Sequence, residues 1–208
     1  MATTPNYGWV TPDNTSFVKD GAQSIRNVSN SIDATSAGAN FAGLVLIKTQ
    51  TIGTAASVIV TSTFSATYDN YVLVINPSAA SVNHEIRFRL SVGATPNAAN
   101  SYAQYYVGIT SGGTGVNLFG LSTSIKLCNN ETGTGTNFNS AYLQINKPFL
   151  TRFTTMHNSL VASDGSNLFS QVGGASHSVA TSFDAINLFT TTGTFSGEIA
   201  VYGYRKAI

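Results

Sequence analysis

The chain has 208 residues and a formal net charge of +1 at pH 7, a length that fits one domain or one domain with a short appendage. Charged residues are only 9% of the sequence while hydrophobic residues are 42%, which excludes disorder for the bulk of the chain. The ten basic residues are scattered along it, which excludes a nucleic-acid surface built from clustered Lys and Arg.

The single cysteine and the hydropathy pattern bear on disulfides, secretion and membrane insertion. Cys128 has no partner for a disulfide within the chain, and we expect it to be a small buried residue rather than a nucleophile. The sequence opens without a basic segment leading into an apolar one, so we expect no secretory signal. No apolar run reaches the roughly 18 residues of a transmembrane helix, so we expect no membrane insertion.

The N-terminal segment differs in composition from the rest of the chain. Residues 1–15 contain Pro5 and Pro12 and predict an extended arm. Asn, Thr and Ser side chains that can cap a helix follow at 14–16, and the pattern predicts a helix over residues 16–33. Residues 34–42 are small and polar and predict a linker.

Small or apolar residues recur along this helix at spacings of three and four, at Val18, Gly21, Ile25, Val28 and Ile32. This is the spacing of a heptad seam, and so short a helix is marginal in water unless the seam is buried. Two arrangements bury it: the helix lies on the β-domain of its own chain, or identical helices associate. We favour the second and expect the four β-branched residues of the seam to be oligomerisation contacts.

Residues 43–208 are typical of β-structure, with short runs rich in Val, Ile, Thr, Tyr and Phe between Gly, Asn, Ser and Pro. The predicted strands are Gly43–Ile52, Ser57–Thr63, Tyr71–Asn76, Glu85–Val92, Tyr102–Ile109, Ser124–Leu127, Ala141–Asn146, Arg152–Ala162, Leu168–Val172, Ala185–Phe189 and Glu198–Tyr204. The Gly-rich segments Ser111–Gly115 and Thr132–Thr136 are predicted as hairpin loops. Many short strands without a second helix predict an all-β fold, an antiparallel β-sandwich of jelly-roll type.

Catalytic and metal-binding patterns are weak. The histidines His84, His157 and His177 have no metal-ligand spacing, so we expect no metal and no cofactor. Asp164 and Asp184 could be named as a glycosidase pair, but both have turn-like surroundings, and Asp164 opens an Asp-Gly hairpin signal. We therefore expect that the protein is not an enzyme.

One cluster suits ligand binding. Tyr102, Tyr105 and Tyr106 lie beside Asn100 and Gln104, and tyrosines with amides can stack on sugars and hydrogen-bond to them. The alternative is a strand whose tyrosines pack in the core or in a subunit interface, and we favour that alternative.

The N-terminal segment also resembles a known group of proteins. Trp9-Val10-Thr11-Pro12-Asp13, followed by Val18-Lys19-Asp20-Gly21-Ala22 and Ile25-Arg26, is similar to the N-terminal segment of many tailed-bacteriophage virion proteins. The match covers about 27 residues, and Val10 departs from the Pro that the pattern commonly has. More loosely, Gly43–Ile47 and Gly197–Arg205 resemble β-domains of phage structural proteins.

The resemblance implies a virion component: a tail or head fibre, a spike or a capsid decoration protein. Such proteins are commonly homotrimers made in the host cytoplasm and released by lysis. By this resemblance Tyr7, Trp9, Pro12 and Phe17 dock on the virion or fasten the helix. The implied partners are other virion proteins of the tail, neck or capsid, with a host cell-surface glycan as a further candidate.

Three functions follow from these patterns. The first is a homotrimeric fibre or spike in which residues 1–15 anchor the protein, 16–33 form a trimeric neck and 43–208 project outward for host attachment. The second is a capsid decoration, or cement, protein that lies across capsomer junctions. The third is a capsule-degrading enzyme, which the absence of a marked catalytic set disfavours.

Overall fold

The computed structural model describes residues 2–5, 8–11, 17–38, 43–82, 84–110, 113–130, 138–163 and 168–205. The chain divides into two compact units, an N-terminal unit within the first 41 residues and a larger unit over Ala42–Lys206.

The N-terminal unit begins with a small hairpin rather than a fully extended arm. Strands β1 (Ala2–Thr3) and β2 (Val10–Thr11) pair in antiparallel fashion. Thr4 N–H donates to the carbonyl of Trp9, and Gly8 N–H donates to the carbonyl of Thr4, both over 2.9 Å. These two hydrogen bonds turn the chain back on itself, which local proline content alone does not reveal.

The helix is shifted toward the C-terminus relative to the predicted range 16–33. A 3₁₀ turn covers Val18–Asp20, and helix α1 runs over Gly21–Gly38. The helix therefore continues through most of the segment predicted as a linker. Its last residues are mainly Ala, Thr and Ser, and alanine has the highest intrinsic helix propensity, so their small size does not end the helix.

The larger unit is built from strands within the described ranges. They are β3 (Leu44–Ala55), β4 (Ser57–Val60), β5 (Tyr68–Ala80), β6 (His84–Val92), β7 (Thr95–Pro96), β8 (Tyr102–Thr110), β9 (Gly113–Ser122), β10 (Ile125–Asn130), β11 (Phe138–Asn146), β12 (Thr154–Ser163), β13 (Leu168–His177), β14 (Ala185–Thr190) and β15 (Phe195–Arg205). All of the predicted strands are present. Strand β9 was missed because its glycines, which include Gly113, Gly115 and Gly120, mask the alternation and led to a loop prediction for Ser111–Gly115.

The strands form two antiparallel sheets. The larger sheet has the order β3-β15-β5-β11-β12-β13-β8-β9, and the smaller has the order β10-β6-β14-β4 with β7 on β6. Eight of these strands, β3, β4, β5, β6, β10, β11, β14 and β15, pair first with last, second with seventh, third with sixth and fourth with fifth. This nested pairing is that of a jelly roll, and it confirms the predicted sandwich.

Four further strands extend the larger sheet beyond the jelly roll. β12 and β13 follow β11 as a meander, and β8 and β9 complete the edge. The larger sheet is therefore about twice as wide as the smaller one, with eight strands against four in the main path. We call the face of this sheet that packs against the core its inner face and the opposite face its outer face.

The core lies between the two sheets and draws on both. Alternation along β6 points Ile86, Phe88 and Leu90 inward, as predicted, and all three are fully buried. Leu73 of β5 and Val201 of β15 face them from the larger sheet and are equally buried. This two-sided burial of apolar side chains is the main source of stability for such a sandwich.

Candidate functional site

The predicted docking residues lie in the N-terminal unit. Tyr7 and Pro12 lie outside the described residues. Trp9 is half-buried, and its indole N–H donates a hydrogen bond to Thr35 Oγ1 over 3.1 Å. Phe17 is 69% exposed, with the Lys19 ammonium 5.3 Å from the centre of its ring. Trp9 therefore holds the hairpin against the helix, while Phe17 presents an aromatic surface to solvent.

The helix has two distinct faces next to each other. The half-buried positions recur at spacings of three and four and end at Thr35, the residue that contacts Trp9; they are Gly21, Ser24, Val28, Ser31 and Thr35. A second stripe is exposed: Val18 at 97%, Ile25 at 67% and Ile32 at 43%. These three residues are spaced by seven, which places them on one side of a helical segment.

The predicted oligomerisation set is thus split by the hairpin. Val28 belongs to the face that carries the Trp9 contact, whereas Val18, Ile25 and Ile32 form the exposed stripe. Val18 belongs to the 3₁₀ turn and not to α1. The exposed stripe is therefore narrower than the predicted seam, and it is the part that remains free to contact another surface.

Polar side chains on the helix bond mainly within the helix. Gln23 donates to the side-chain oxygen of Asn27 over 2.8 Å, and Arg26 donates to Gln23 over 2.9 Å. Ser24 and Ser31 donate back to the carbonyls of Asp20 and Asn27, a pattern that adds little stability to a helix. Local interactions alone leave such a helix marginal, which increases the importance of its apolar contacts.

The three tyrosines of the predicted ligand cluster do not form one site. Successive residues of a strand point to opposite faces, so Tyr102 and Tyr106 are buried on the inner face of β8, at 0% and 7% exposure, while Tyr105 is 55% exposed on the outer face. The core alternative holds for two of the three residues. A sugar site that uses all three rings is incompatible with this alternation.

The hydroxyl and the ring of Tyr102 both make their contacts inside the sandwich. Its hydroxyl donates to the Asn97 carbonyl and accepts from Leu90 N–H, both over 3.0 Å, and burial raises its pKa well above the usual range. Its ring lies 4.2 Å from the ring of His177, measured between centroids, and the ring of Phe183 packs edge-on with His177 at 5.1 Å. Tyr102 therefore links strand β6 to strand β8 rather than contacting a ligand.

His177 is held neutral in this aromatic setting. It is fully buried, and neither ring nitrogen makes a hydrogen bond of normal geometry. Burial lowers its pKa to about 4, and the nearby backbone of Val179 opposes this shift only in part. A neutral, enclosed imidazole cannot reach an external substrate, so we assign it to the core.

Gln104, the next inward residue of β8 after Tyr102, joins the two sheets. Its side-chain amide donates to the Lys126 carbonyl over 2.7 Å and accepts from Lys126 N–H over 2.8 Å. Lys126 belongs to β10 of the smaller sheet, and its ammonium lies 3.1 Å from the carboxylate of Glu85, which Arg87 also contacts at 3.0 Å. Burial opposes ionisation of Glu85, but Lys126 and Arg87 outweigh it and lower the pKa of the carboxyl.

A cleft lies on the outer face where β8, β13 and β12 run side by side. It has a volume of about 470 Å³, and its floor is the row Gln104, Ala175 and Met156. The depression exists because outward positions here are small: Ala103, Gly174 and Ser176. The ring of Tyr105 lies above Gly174, since a Cβ at that position would meet ring atoms at 3.1–3.3 Å. His157 and Thr155 lie on the opposite side, so the walls carry aromatic and hydroxyl groups and no Lys, Arg, Asp or Glu side chain.

The remaining polar candidates have structural partners or lie outside the described ranges. Asp184 accepts a hydrogen bond from Gly93 N–H over 2.7 Å, which is a turn contact, and Asp164 is outside the described residues. Among the residues that the structure describes, no group of three His, Cys, Asp or Glu side chains could hold a metal ion. Within the same ranges no helix is long and apolar enough to cross a bilayer.

Comparisons with known proteins add little. No protein-family model matches the chain, and no curated protein sequence matches it. One solved structure with some likeness is a protein of unknown function from Shewanella oneidensis MR-1, with 9% identity over 83% of this chain and 84% of that chain. The TM-score is 0.21, which is too low to support an argument about fold or function.

Proposed function

We propose that the chain is a structural protein of a bacteriophage virion, a homotrimeric fibre or spike that is anchored by its N-terminal segment and projects the β-sandwich. The observation that carries this proposal is the exposed stripe of Val18, Ile25 and Ile32 at heptad spacing. The phage resemblance of the same segment supplies the virion context and the expected number of three subunits.

The stripe supports self-association for a physical reason. Fully burying a Val or Ile side chain contributes about 1.5–3 kcal/mol, and three such residues lie two turns apart along one side of the segment formed by the 3₁₀ turn and α1. Copies of the helix packed along this stripe would exclude water from all of it at once. The Trp9 contact to Thr35 occupies the neighbouring face of the helix, so the hairpin and the partner helices would not compete for the same side chains.

The sandwich supports an assembly role more than a catalytic one. Its buried histidine, His177, and the carboxylate of Asp184 are engaged in packing and turn contacts. The three tyrosines do not share one face of the sheet, so a host glycan stays a prediction from the phage resemblance. The proposed function is therefore attachment and assembly, and host-receptor binding stays a prediction.

Localisation on particles tests the proposal. Virions of a phage that encodes this chain are purified, probed by mass spectrometry and imaged by electron cryomicroscopy with an antibody against the β-domain. We expect the chain in washed particles, at sites occupied by three copies on the tail or neck. Density spread over the capsid shell would instead favour the decoration protein. If the chain is abundant in infected cells but absent from particles, the virion role is wrong.

A further inference from the structure

The outer face of the larger sheet carries a second apolar surface, far along the sequence from the helix. Alternation in β8, β12 and β13 sends one set of residues into the core and leaves the other outside. Among the outward residues are six large side chains with exposures of 41–63%, and we call this set the outer patch: Tyr105, Val107, Ile109, Val161, Leu168 and Val172.

The strand register makes most of the outer patch continuous. Val107 pairs directly with Val172 across β8 and β13. In the adjacent outward row, Ile109 pairs with Ser170, which pairs with Val161 on β12. Directly opposite residues in neighbouring strands have Cβ atoms about 4.5–5.5 Å apart, so these side chains form a surface that spans three strands, interrupted only by small hydroxyl groups.

At the outward positions of β8, β12 and β13 that the structure describes, no Lys, Arg, Asp or Glu side chain borders the outer patch. The other described outward positions of β8, β12 and β13 are Ala103, Thr155, His157, Ser159, Ser163, Ser170, Gly174 and Ser176. None of them is Lys, Arg, Asp or Glu. A surface of this kind gives no electrostatic attraction to an acidic or basic partner, and it causes no like-charge repulsion when it meets a copy of itself.

The area also fits an interface between proteins. A fully exposed aromatic side chain presents roughly 150–250 Å² of surface, and Val or Leu presents somewhat less. At 41–63% exposure, the six side chains together present on the order of 600 Å² to solvent. This is at the upper end of the largest apolar patch on a typical monomer, about 300–600 Å². With its hydroxyl rim it approaches the roughly 800 Å² that each partner contributes to a standard interface.

We propose that a second copy of this chain covers the outer patch. The cleft between Tyr105 and His157 adjoins the patch and offers a depression for a projecting side chain from that copy. This inference extends the proposed self-assembly to the β-domain. It uses residues that are separate from the helix stripe, so the two interfaces can be tested independently.

The test uses full-length protein and two aspartate variants of the patch, Ile109→Asp and Val172→Asp, at positions 60% and 63% exposed. Val92→Asp is the matched control, because Val92 is 49% exposed at the end of β6 in the other sheet. Each variant is first checked for an unchanged melting temperature. Sedimentation equilibrium over a concentration series measures the dissociation constant of self-association. This constant should rise at least tenfold for both patch variants and should not change for Val92→Asp.

A cross-link gives a second readout that does not depend on affinity. Ser170→Cys, made in a Cys128→Ser background, should give disulfide-linked chains under mild oxidation, whereas Ser81→Cys, on an exposed turn elsewhere, should not. If the patch variants associate like wild type and Ser170→Cys does not cross-link, the inference is wrong. In that case a loss of association in Ile25→Asp would still support the proposed fibre or spike, because that variant tests the helix stripe alone. A wild-type protein that is monomeric at every concentration would overturn both the outer-patch interface and the proposed homotrimer.

Discussion

Trp9 and Thr35 are joined by a hydrogen bond from the indole N–H to the threonine hydroxyl over 3.1 Å, across 26 positions of sequence. This contact closes the N-terminal hairpin onto helix α1 and fixes which side of the helix stays exposed. Because Trp9 is the only tryptophan in the chain, its fluorescence reports on this unit alone.

Removing the acceptor should loosen the hairpin. Thr35→Ala deletes a hydrogen bond worth about 0.5–1.5 kcal/mol, so we expect a red-shifted tryptophan emission and greater quenching by iodide. The melting temperature of the β-domain should not change. Thr35→Ser keeps the hydroxyl and should behave like wild type. If Thr35→Ala has the emission of wild type, Trp9 does not depend on this contact.

A charge in the exposed stripe should prevent self-association. Ile25→Asp places carboxylates where copies of the helix are expected to meet, at a cost on the order of several kcal/mol for unpaired buried charges. We expect monomers at micromolar concentration by light scattering. Asn30→Asp adds the same charge on the far side of the helix, at an exposed position, and should associate normally. Equal masses for Ile25→Asp and wild type would refute the helical neck.

Gly173 should tolerate no side chain. A Cβ at this position would overlap the carbonyl oxygen of Tyr105 and lie 2.8 Å from Cβ of Tyr106, because β8 and β13 approach closely there. We expect Gly173→Ala to destabilise the β-domain by about 1–3 kcal/mol in urea unfolding. Gly53→Ala, on an exposed strand position with no atom within 4 Å, should be neutral or slightly stabilising.

His177 should make stability depend on pH. Burial lowers its pKa to about 4 in the folded state, whereas a histidine of the unfolded chain titrates near 6.5. The unfolded state therefore binds more protons between these values, and the stabilising effect is present above about pH 6.5 and lost as the pH falls to about 4.

The measurement is urea unfolding of wild type and His177→Leu at several pH values. The difference in unfolding free energy should change by up to about 1.4 kcal/mol per pH unit across the window. His157→Leu replaces an exposed histidine of the outer face and should not reproduce this change. Parallel pH profiles for wild type and His177→Leu would show that His177 does not titrate in the way proposed.

Much of the β-fold can be predicted from the sequence, because the signals are local. The alternation at Ile86, Phe88 and Leu90 identifies the inner face of β6, and all three are buried. Strand β9 was missed because its glycines interrupt the alternation of its apolar residues. The pairing of β3 with β15 joins residues 140 to 160 positions apart, and no local pattern specifies such a contact.

The candidate site was predicted less well. Alternation separates Tyr105 from Tyr102 and Tyr106, and applying the two-residue period of strands would have shown this. The hairpin contact between Trp9 and Thr35 could not be foreseen, because it depends on how the chain folds back. The outer patch left a readable signal in β8, where Val107 and Ile109 make the outward face as apolar as the inward one.

The central claim is that the chain assembles with copies of itself into a trimer, and its solution mass tests this most directly. Full-length protein is measured by size-exclusion chromatography with multi-angle light scattering at micromolar concentration. The account predicts about three times the 21.8 kDa mass of one chain, with Ile25→Asp reduced to the mass of one chain. A wild-type mass of one chain over the whole concentration range would contradict it.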